Sequence, residues 1–439
     1  MRIGSIIAEY NPFHNGHKYQ IDQYKKIDKC THLVAIMSGN FVQRGGPALI
    51  DKFTRAKIAI ENGVDLVIEL PSMYATQTAE LFARGAVCSL DSLNCIDSLC
   101  YGSELGQIDK IKAIADLLVR DKDVFEERLN KILEEEKSYA KAREKALIEI
   151  LNYVNNESIM IDEDFLRAPN NILAIEYEKE LMRIQSKINS MTIIRKDSNH
   201  NDDSIGNSIS SASAVRNFLC KDVYSSLLSN SQKIDILKNN INIISKNICS
   251  ETYNEIVKLL ENDIIPLNEN EFFDYICLNV VREEDKLDSF FEVKEGLENS
   301  IRKNIIYSKN MEQLLDSLVS KRYSRAKIRR SLFNILLNLQ KDEMEKVKHI
   351  KKVPYIRILA FNDRGREILK KIKYNSDVKI IMSLAKAKKV KYYEENIVYK
   401  MLLDFDLRSS NIYYQKYFAL NRDCFCKGEP DYISLIKKI

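Results

Sequence analysis

The stretch Ile3-Gly4-Ser5-Ile6-Ile7-Ala8-Glu9-Tyr10-Asn11-Pro12-Phe13-His14-Asn15-Gly16-His17 decides how the rest of the chain is read. Its isoleucine-rich start predicts a buried strand over Ile3–Ala8, a loop holding Pro12, and a helix beginning near Gly16. A helix N-terminus presents unpaired N–H groups and partial positive charge, which suits phosphate. His14 and His17 lie three residues apart on one side of that first turn, and each has a ring N–H to donate to phosphate oxygens. Gly16, without a Cβ, lets a base or sugar approach the backbone. Two surface histidines in a loop are the plain alternative. Against it, two of the five histidines in the chain fall at the end of the first strand, where parallel sheets bind ligands.

Working outward, further apolar runs at His32–Met37, Val64–Leu70 and Ser98–Tyr101 read as buried strands. Helical spacing separates them at Phe53–Asn62, stopped by Gly63, and at Thr76–Leu90. Strand and helix in alternation predict an α/β, Rossmann-like parallel-sheet domain. Nine of the 13 glycines lie at or before Gly106, so the turns concentrate there. Val124–Val154 predicts one or two long surface helices. A helix over Ile172–Ser186, after Pro169, and a strand at Met191–Ile194 complete the first domain, set at 1–222. A mainly helical region is expected over 223–350. A small α/β or helical segment is expected over 351–439, opening with Pro354 and Tyr355–Leu359.

The chain has 439 residues, 45% hydrophobic and 30% charged, which excludes a disordered tail and suffices for several cores. No apolar run approaches the ~18 residues of a membrane helix. The start reaches Glu9 and Asn11 too soon for a secretion signal. Nine scattered cysteines without a C-x-x-C pair argue against a disulfide framework or zinc ribbon, so no metal site and a reducing cytoplasm are expected; Cys424-Phe425-Cys426 reads as a pair of tail cysteines. With 67 basic and 63 acidic side chains, any nucleic-acid surface has to be a local patch. One candidate is Lys321-Arg322-Tyr323-Ser324-Arg325-Ala326-Lys327-Ile328-Arg329-Arg330, six cations in ten residues with no acid: a phosphate-binding helix face or a solvated one.

The H-x-G-H placed after a first strand resembles the ATP signature of the HIGH-type nucleotidylyltransferase superfamily. A second signature of that superfamily, I-S-S-T-x-x-R, is similar to Ile209-Ser210-Ser211-Ala212-Ser213-Ala214-Val215-Arg216. Its serines suit a phosphate or a plain helix cap, and Arg216 adds charge one turn in. Longer strings narrow the resemblance: Met37-Ser38-Gly39-Asn40-Phe41-Val42-Gln43-Arg44-Gly45-Gly46-Pro47-Ala48, Asp65-Leu66-Val67-Ile68-Glu69-Leu70-Pro71, Tyr101-Gly102-Ser103-Glu104 and Pro169-Asn170-Asn171-Ile172-Leu173. With the opening stretch they resemble the bacterial tRNA(Met) cytidine acetate ligase family over most of the chain.

That resemblance implies an enzyme that uses ATP and acetate to form N4-acetylcytidine at the wobble position of elongator tRNA(Met), with Mg²⁺ accompanying the ATP. It also implies tRNA contact for the helical region 223–350. The family's ATP-binding segment matches Ile7-Ala8-Glu9-Tyr10-Asn11-Pro12-Phe13-His14-Asn15-Gly16-His17-Lys18-Tyr19-Gln20. Its further nucleotide contacts match Gly102, Asn170 and Arg195, and the catalytic donors His14, His17 and Arg195. Each has a plain counterpart: Asn170 as a helix cap with Asn171 beside it, Arg195 as a surface ion-pair partner, Lys18 as a solvated helix residue. The family's R-G-E-P stands here as Arg44-Gly45-Gly46-Pro47, which removes a loop carboxylate. Two other activities stay open, an adenylyltransferase of a small phosphorylated cofactor precursor and an RNA-binding module with a vestigial nucleotide pocket. The long extension beyond the first domain weighs against the former. The lack of a K-M-S-K-S string weighs against an aminoacyl-tRNA synthetase.

Overall fold

A computed structural model of the chain describes residues 1–136, 139–154, 163–195, 211–223, 228–421, 431 and 437–438. Five parallel strands form the first part of a single sheet: β1 (Ile3–Ala8), β2 (His32–Ser38), β3 (Leu66–Leu70), β4 (Ser98–Ser103) and β5 (Asn189–Ile194). Their order is β5-β4-β1-β2-β3, so the chain reverses direction of travel across the sheet between β1 and β4. The carboxyl ends of those two strands flank a crevice, the usual ligand position in such sheets. All seven residues of β2 are buried. Val34 and Ile36 feed the core on one face, Leu33, Ala35 and Met37 the core on the other, which is why these strands read as continuous apolar runs.

The structure refines two expectations. The helix expected over Thr76–Leu90 runs from Ala79 to Ser92, and a separate short helix, Ser72–Ala75, precedes it. The break falls where the Thr76 hydroxyl donates to the Ser72 carbonyl and Gln77 bonds Thr76 and Asn334, side-chain bonds that compete with helical ones. The segment set apart at 351–439 does not build a sheet of its own. β6 (Tyr355–Phe361) pairs antiparallel with β3, and β7 (Lys379–Ile381) pairs with β6, so both extend the first sheet. Every residue of β6 is buried, and it covers the β3 edge that would otherwise stand open.

Between these parts, helices run from Asn230 to Val347. Leu49 and Ile50, from the loop after β2, sit in one apolar core with Val215, Leu237 and Ile256, so the helical region is seated on the loops of the crevice. The long helix Ile397–Leu420 returns across it, its Tyr413 hydroxyl donating to the Ala48 carbonyl.

Candidate active site

The site begins with the end of β1. Ile7, Ala8 and Glu9 are half-buried where the strand leaves the sheet, whereas Tyr10, Asn11, Pro12 and Phe13 are buried beneath the turn. The turn is held from several directions. Leu49 donates its backbone N–H to Asn11 Oδ1 at 2.8 Å, and Gln43 donates to Glu9 Oε1 at 2.8 Å. Arg55, fully buried, donates to the carbonyls of Glu9 and Ser38 at 2.6 and 3.1 Å. The Thr252 hydroxyl donates to the Phe13 carbonyl and the Asn15 amide to the Lys246 carbonyl, both at 2.8 Å.

The helix Asn15–Asp28 then starts on a reciprocal cap made by the two histidines. His14 Nδ1 accepts the Gly16 N–H at 3.0 Å, and His17 Nδ1 accepts the His14 N–H at 3.2 Å. A backbone N–H only donates, so each Nδ1 is unprotonated and the proton of each neutral ring sits on Nε2. The rings lie 3.8 Å apart, with Tyr10 and Phe13 packed on His17 at 5.0 and 5.4 Å. Burial pushes His14 down to about 3, helped by the charges of Arg195 and Arg216. Burial, then His14 and Arg195, hold His17 well below its ordinary value. At neutral pH the helix start therefore offers two uncharged Nε2–H donors under two guanidinium charges.

The sign of the resulting pH dependence follows from linkage. A histidine whose folded pKa is depressed favours the folded state above its unfolded value near 6.5, and that stability is lost as pH falls and the unfolded chain takes up protons. Acidification from about pH 6.5 to 4 should lower the unfolding temperature, with His14 alone accounting for roughly 1.4 kcal/mol per pH unit. Denaturation curves of the chain and its His14→Gln variant across that range check this: the variant should show the shallower dependence.

The remaining sequence-predicted residues fall around this turn. Arg195 follows β5 and is half-buried; burial lowers its pKa and Glu104 opposes the shift. A Cβ on Gly102 would lie 3.1 Å from Arg195 Cγ, so the missing side chain makes room for the arginine to lie across β4. Glu104 caps the helix Pro169–Arg183: one oxygen accepts the Asn170 N–H and side-chain amide at 3.1 and 2.8 Å, the other the Asn171 N–H at 2.9 Å. Asn171 is fully buried and bonds Glu104 N–H and the Phe165 carbonyl. Asn170, half-buried, is the one of the pair that reaches the surface. Lys18 is turned along the helix to Asp22 at 2.8 Å, both exposed, which is its plain reading.

Of the second signature, Ile209 and Ser210 lie outside the described residues. Ser211 caps the helix Ala212–Leu219 by accepting the Ala214 N–H at 3.1 Å. Arg216 from that helix donates to the Asn11 carbonyl and to Ser213, tying the second signature to the first. Burial lowers its pKa, with Glu9 opposing the shift and Arg44 and Arg329 adding to it.

The arginines of the basic run 321–330 have partners within the protein. Arg330 forms a two-point pair with Glu292 at 2.9 and 3.1 Å, and Arg329 bonds Glu269 at 3.0 Å, with side chains only 13% and 19% exposed. Arg325 pairs with Glu312 and Asp316, and Arg322 with Glu295. Glutamates from other segments neutralise the arginines of this face and fasten it to the protein. Glu269 also lies 3.7 Å from where a Gly46 Cβ would stand, so a carboxylate reaches the loop from elsewhere in the chain although Gly46 carries none. The spacing of residues offers no signal for Arg55, Thr252 or Glu269. Cys424 and Cys426 lie outside the described residues, and the seven cysteines within them are free thiols.

A family model described as HIGH Nucleotidyl Transferase matches residues 1–424. The chain is 40% identical over 415 residues to the tRNA(Met) cytidine acetate ligase of Clostridium perfringens SM101, covering 94% of this chain and 95% of that one. It is 38% identical over 440 residues to that of Alkaliphilus metalliredigens, covering 99% and 98%. The crystal structure of Thermotoga maritima TmcAL bound with alpha-thio ATP superposes with a TM-score of 0.84 at 27% identity, covering 99% of this chain and 98% of that one. The apo form gives 0.87 at the same identity, with 99% coverage of both. The chain belongs to the HIGH nucleotidyl transferase family and, within it, to the tRNA(Met) cytidine acetate ligases.

Proposed function

We propose that the chain activates acetate with ATP as acetyl-adenylate and transfers the acetyl group to N4 of the wobble cytidine of elongator tRNA(Met). The observation that carries the nucleotide chemistry is the histidine cap. It occupies both Nδ1 atoms and leaves two neutral Nε2–H donors at a helix N-terminus, with Arg195 acting on both rings and Arg216 on His14. Such donors match the charge that builds on phosphate oxygens as an acetate oxygen attacks the α-phosphorus and pyrophosphate leaves. Neutral histidines fit the task, since they donate without first shedding water from a buried cation.

In the second step the cytidine N4 attacks the acyl carbon, the C–O bond to AMP breaks, and N4 gives up one proton. His14, His17 and Arg195 hold the phosphate oxygens in both steps, and Asn170 supplies a polar contact beside them. Gly102 acts through Arg195. Mg²⁺ travels with the triphosphate, whose oxygens furnish most of its ligands; among the described residues no three of His, Cys, Asp or Glu gather to cage a metal. Likewise, no helix among them is long and apolar enough to cross a membrane.

The test is incubation of purified protein with ATP, Mg²⁺, radiolabelled acetate and elongator tRNA(Met) transcript, omitting each in turn. Label in RNA that requires all four is the expected result. Pyrophosphate release without labelled RNA would leave the adenylate step standing and remove tRNA(Met) as acceptor. Neither signal from folded protein would overturn the reading.

A further inference from the structure

The four arginines of 321–330, the run that looks strongest in the sequence, are engaged by carboxylates of the protein. A different segment holds cations that are not. Between Arg364 and Lys391 fall ten basic side chains and two acidic ones, an excess larger than the net charge of +4 of the entire chain. They surround a groove of about 950 Å³ formed by the helix Asp363–Asn375, β7 and the turns that follow it. Arg366, Lys370, Lys373, Lys379 and Lys386 line it; all five are exposed, and none forms an ion pair among the described residues. Their neighbours Lys388 and Lys391, by contrast, pair with Asp404 and Glu395. Asp377 is the one acid in the lining. The floor is apolar and aromatic, with Leu369, Ile380, Ile381 and Tyr399, and Lys379 lies over the Tyr392 ring. Tyr374, next to Lys373 near the end of the same helix, is 91% exposed.

We infer that this groove is an RNA-binding surface, on which backbone phosphates meet the five cations and an unpaired base stacks on Tyr374 or enters the apolar floor. Single-stranded RNA combines these two needs, a track of positive charge and aromatic platforms for bases. Charge alone suits any polyanion, but the mixture of cations without ion pairs among the described residues, an exposed tyrosine and an open apolar groove suits RNA best. Position agrees with a large ligand. β7 lies four strands from β1 in the sheet, roughly 19 Å at ordinary strand spacing, and the groove shares no lining residue with the histidine turn. A tRNA spans that distance while a small substrate does not. The inference rests on the reading of tRNA as acceptor and names where it is held.

The test compares the native chain with a Lys370→Ala/Lys373→Ala/Lys379→Ala/Lys386→Ala variant and, separately, Tyr374→Ala. Binding of elongator tRNA(Met) transcript is measured by filter retention from 50 to 200 mM salt. The quadruple variant should bind at least tenfold more weakly at low salt. Its log affinity should also fall less steeply with log salt, by about 0.7–0.9 for each phosphate no longer neutralised. Acetate-dependent exchange of pyrophosphate into ATP, measured without RNA, should stay unchanged and also reports that the variant is folded. Tyr374→Ala should weaken binding severalfold with the slope unaltered. In the unsubstituted protein, RNA should protect these lysines from an amine-reactive label. Equal affinity and slope, or lysines labelled equally with and without RNA, would overturn the inference. So would a quadruple variant that binds RNA normally and differs from the native chain only in binding phosphatidylglycerol vesicles. Labelled acetate that never reaches tRNA, despite groove-dependent tRNA binding, would instead count against the acceptor proposed above while this surface stands.

Discussion

His17→Ala should lower acetate-dependent adenylate formation by roughly 10²–10³-fold, the loss associated with removing one preorganised donor from a developing oxyanion. The cap predicts more than the loss itself. His17 does two things, accepting the His14 N–H through Nδ1 and presenting Nε2–H, and the alanine variant removes both. Gln is an ordinary residue at the third position of a helix and reaches back to the cap N–H from there. His17→Gln should therefore melt with the native chain and yet remain slow, because its amide does not stand where the imidazole Nε2–H stood. Both variants should bind tRNA within about twofold of the native protein, since the RNA surface is elsewhere. Pyrophosphate exchange, thermal melts and filter binding on the three proteins check this. Full activity in His17→Gln would assign the histidine to capping alone and remove it from the chemistry. The pH profile adds an independent reading. With His14 held to about 3 and His17 well below its ordinary value by burial, the rate of adenylate formation should show no acid limb near pH 6.5.

Replacing Glu69 with leucine should cost about 3–5 kcal/mol of stability, the usual penalty for stripping the partner from a buried charge. Glu69 sits near the end of β3, 3% exposed, bonded to Lys52 at 2.9 and 3.2 Å and to Arg357 at 3.2 Å. Asp431 completes the set, 3.0 Å from Lys52 and 2.8 Å from Arg357, and those two cations hold its pKa below the usual carboxylate range against the penalty of burial. Lys52 also donates to the Ser410 hydroxyl at 2.8 Å. Four charges from four distant parts of the chain thus cancel in pairs, and Gly39 leaves the space, since a Cβ there would stand 2.5 Å from Glu69 Oε1. Without Glu69, Lys52 and Arg357 share one carboxylate. Adding Lys52→Met should restore most of the loss, because Arg357 and Asp431 then remain as a neutral pair. Denaturant unfolding of the single and double variants measures both. A single variant as stable as the native chain would show that water reaches the cluster and that the network contributes little.

The same cluster bears on the site, because Lys52 opens the helix that carries Arg55, and Arg55 holds the Glu9 carbonyl. Disturbing the buried charges should reach the nucleotide turn through that helix. Asp406, beside them, has its pKa raised to about 6 by burial and by Glu69. Its two oxygens accept the Ser72 N–H at 2.6 Å and the Tyr355 hydroxyl at 2.5 Å, which joins the first domain to β6.

Reading along the chain, the elements that local chemistry specifies were legible. The alternation of β-branched runs with helical spacing determined five parallel strands, and the position of His14 and His17 after the first of them pointed to the turn that the proposed nucleotide chemistry uses. Those features depend on residues a few positions apart, through backbone preference, period and capping. The run 321–330 shows where such reading stops. Its six cations in ten residues promise a phosphate face, but Glu269, Glu292, Glu295 and Glu312 reach its arginines from outside the run. The cations of 364–391 look ordinary in sequence, yet five of them line a groove without forming an ion pair among the described residues. Glu69 and Arg216 have the same character, each with a partner more than two hundred residues away, Arg357 and Asn11. What the sequence by itself determined was the order of elements along the chain and the chemistry they carry: an α/β fold, two histidines at a helix start, a family. Only the tertiary structure decided which charges are cancelled and which are free, because a charge is neutralised by whatever the fold brings within about 4 Å of it, whatever its distance along the chain.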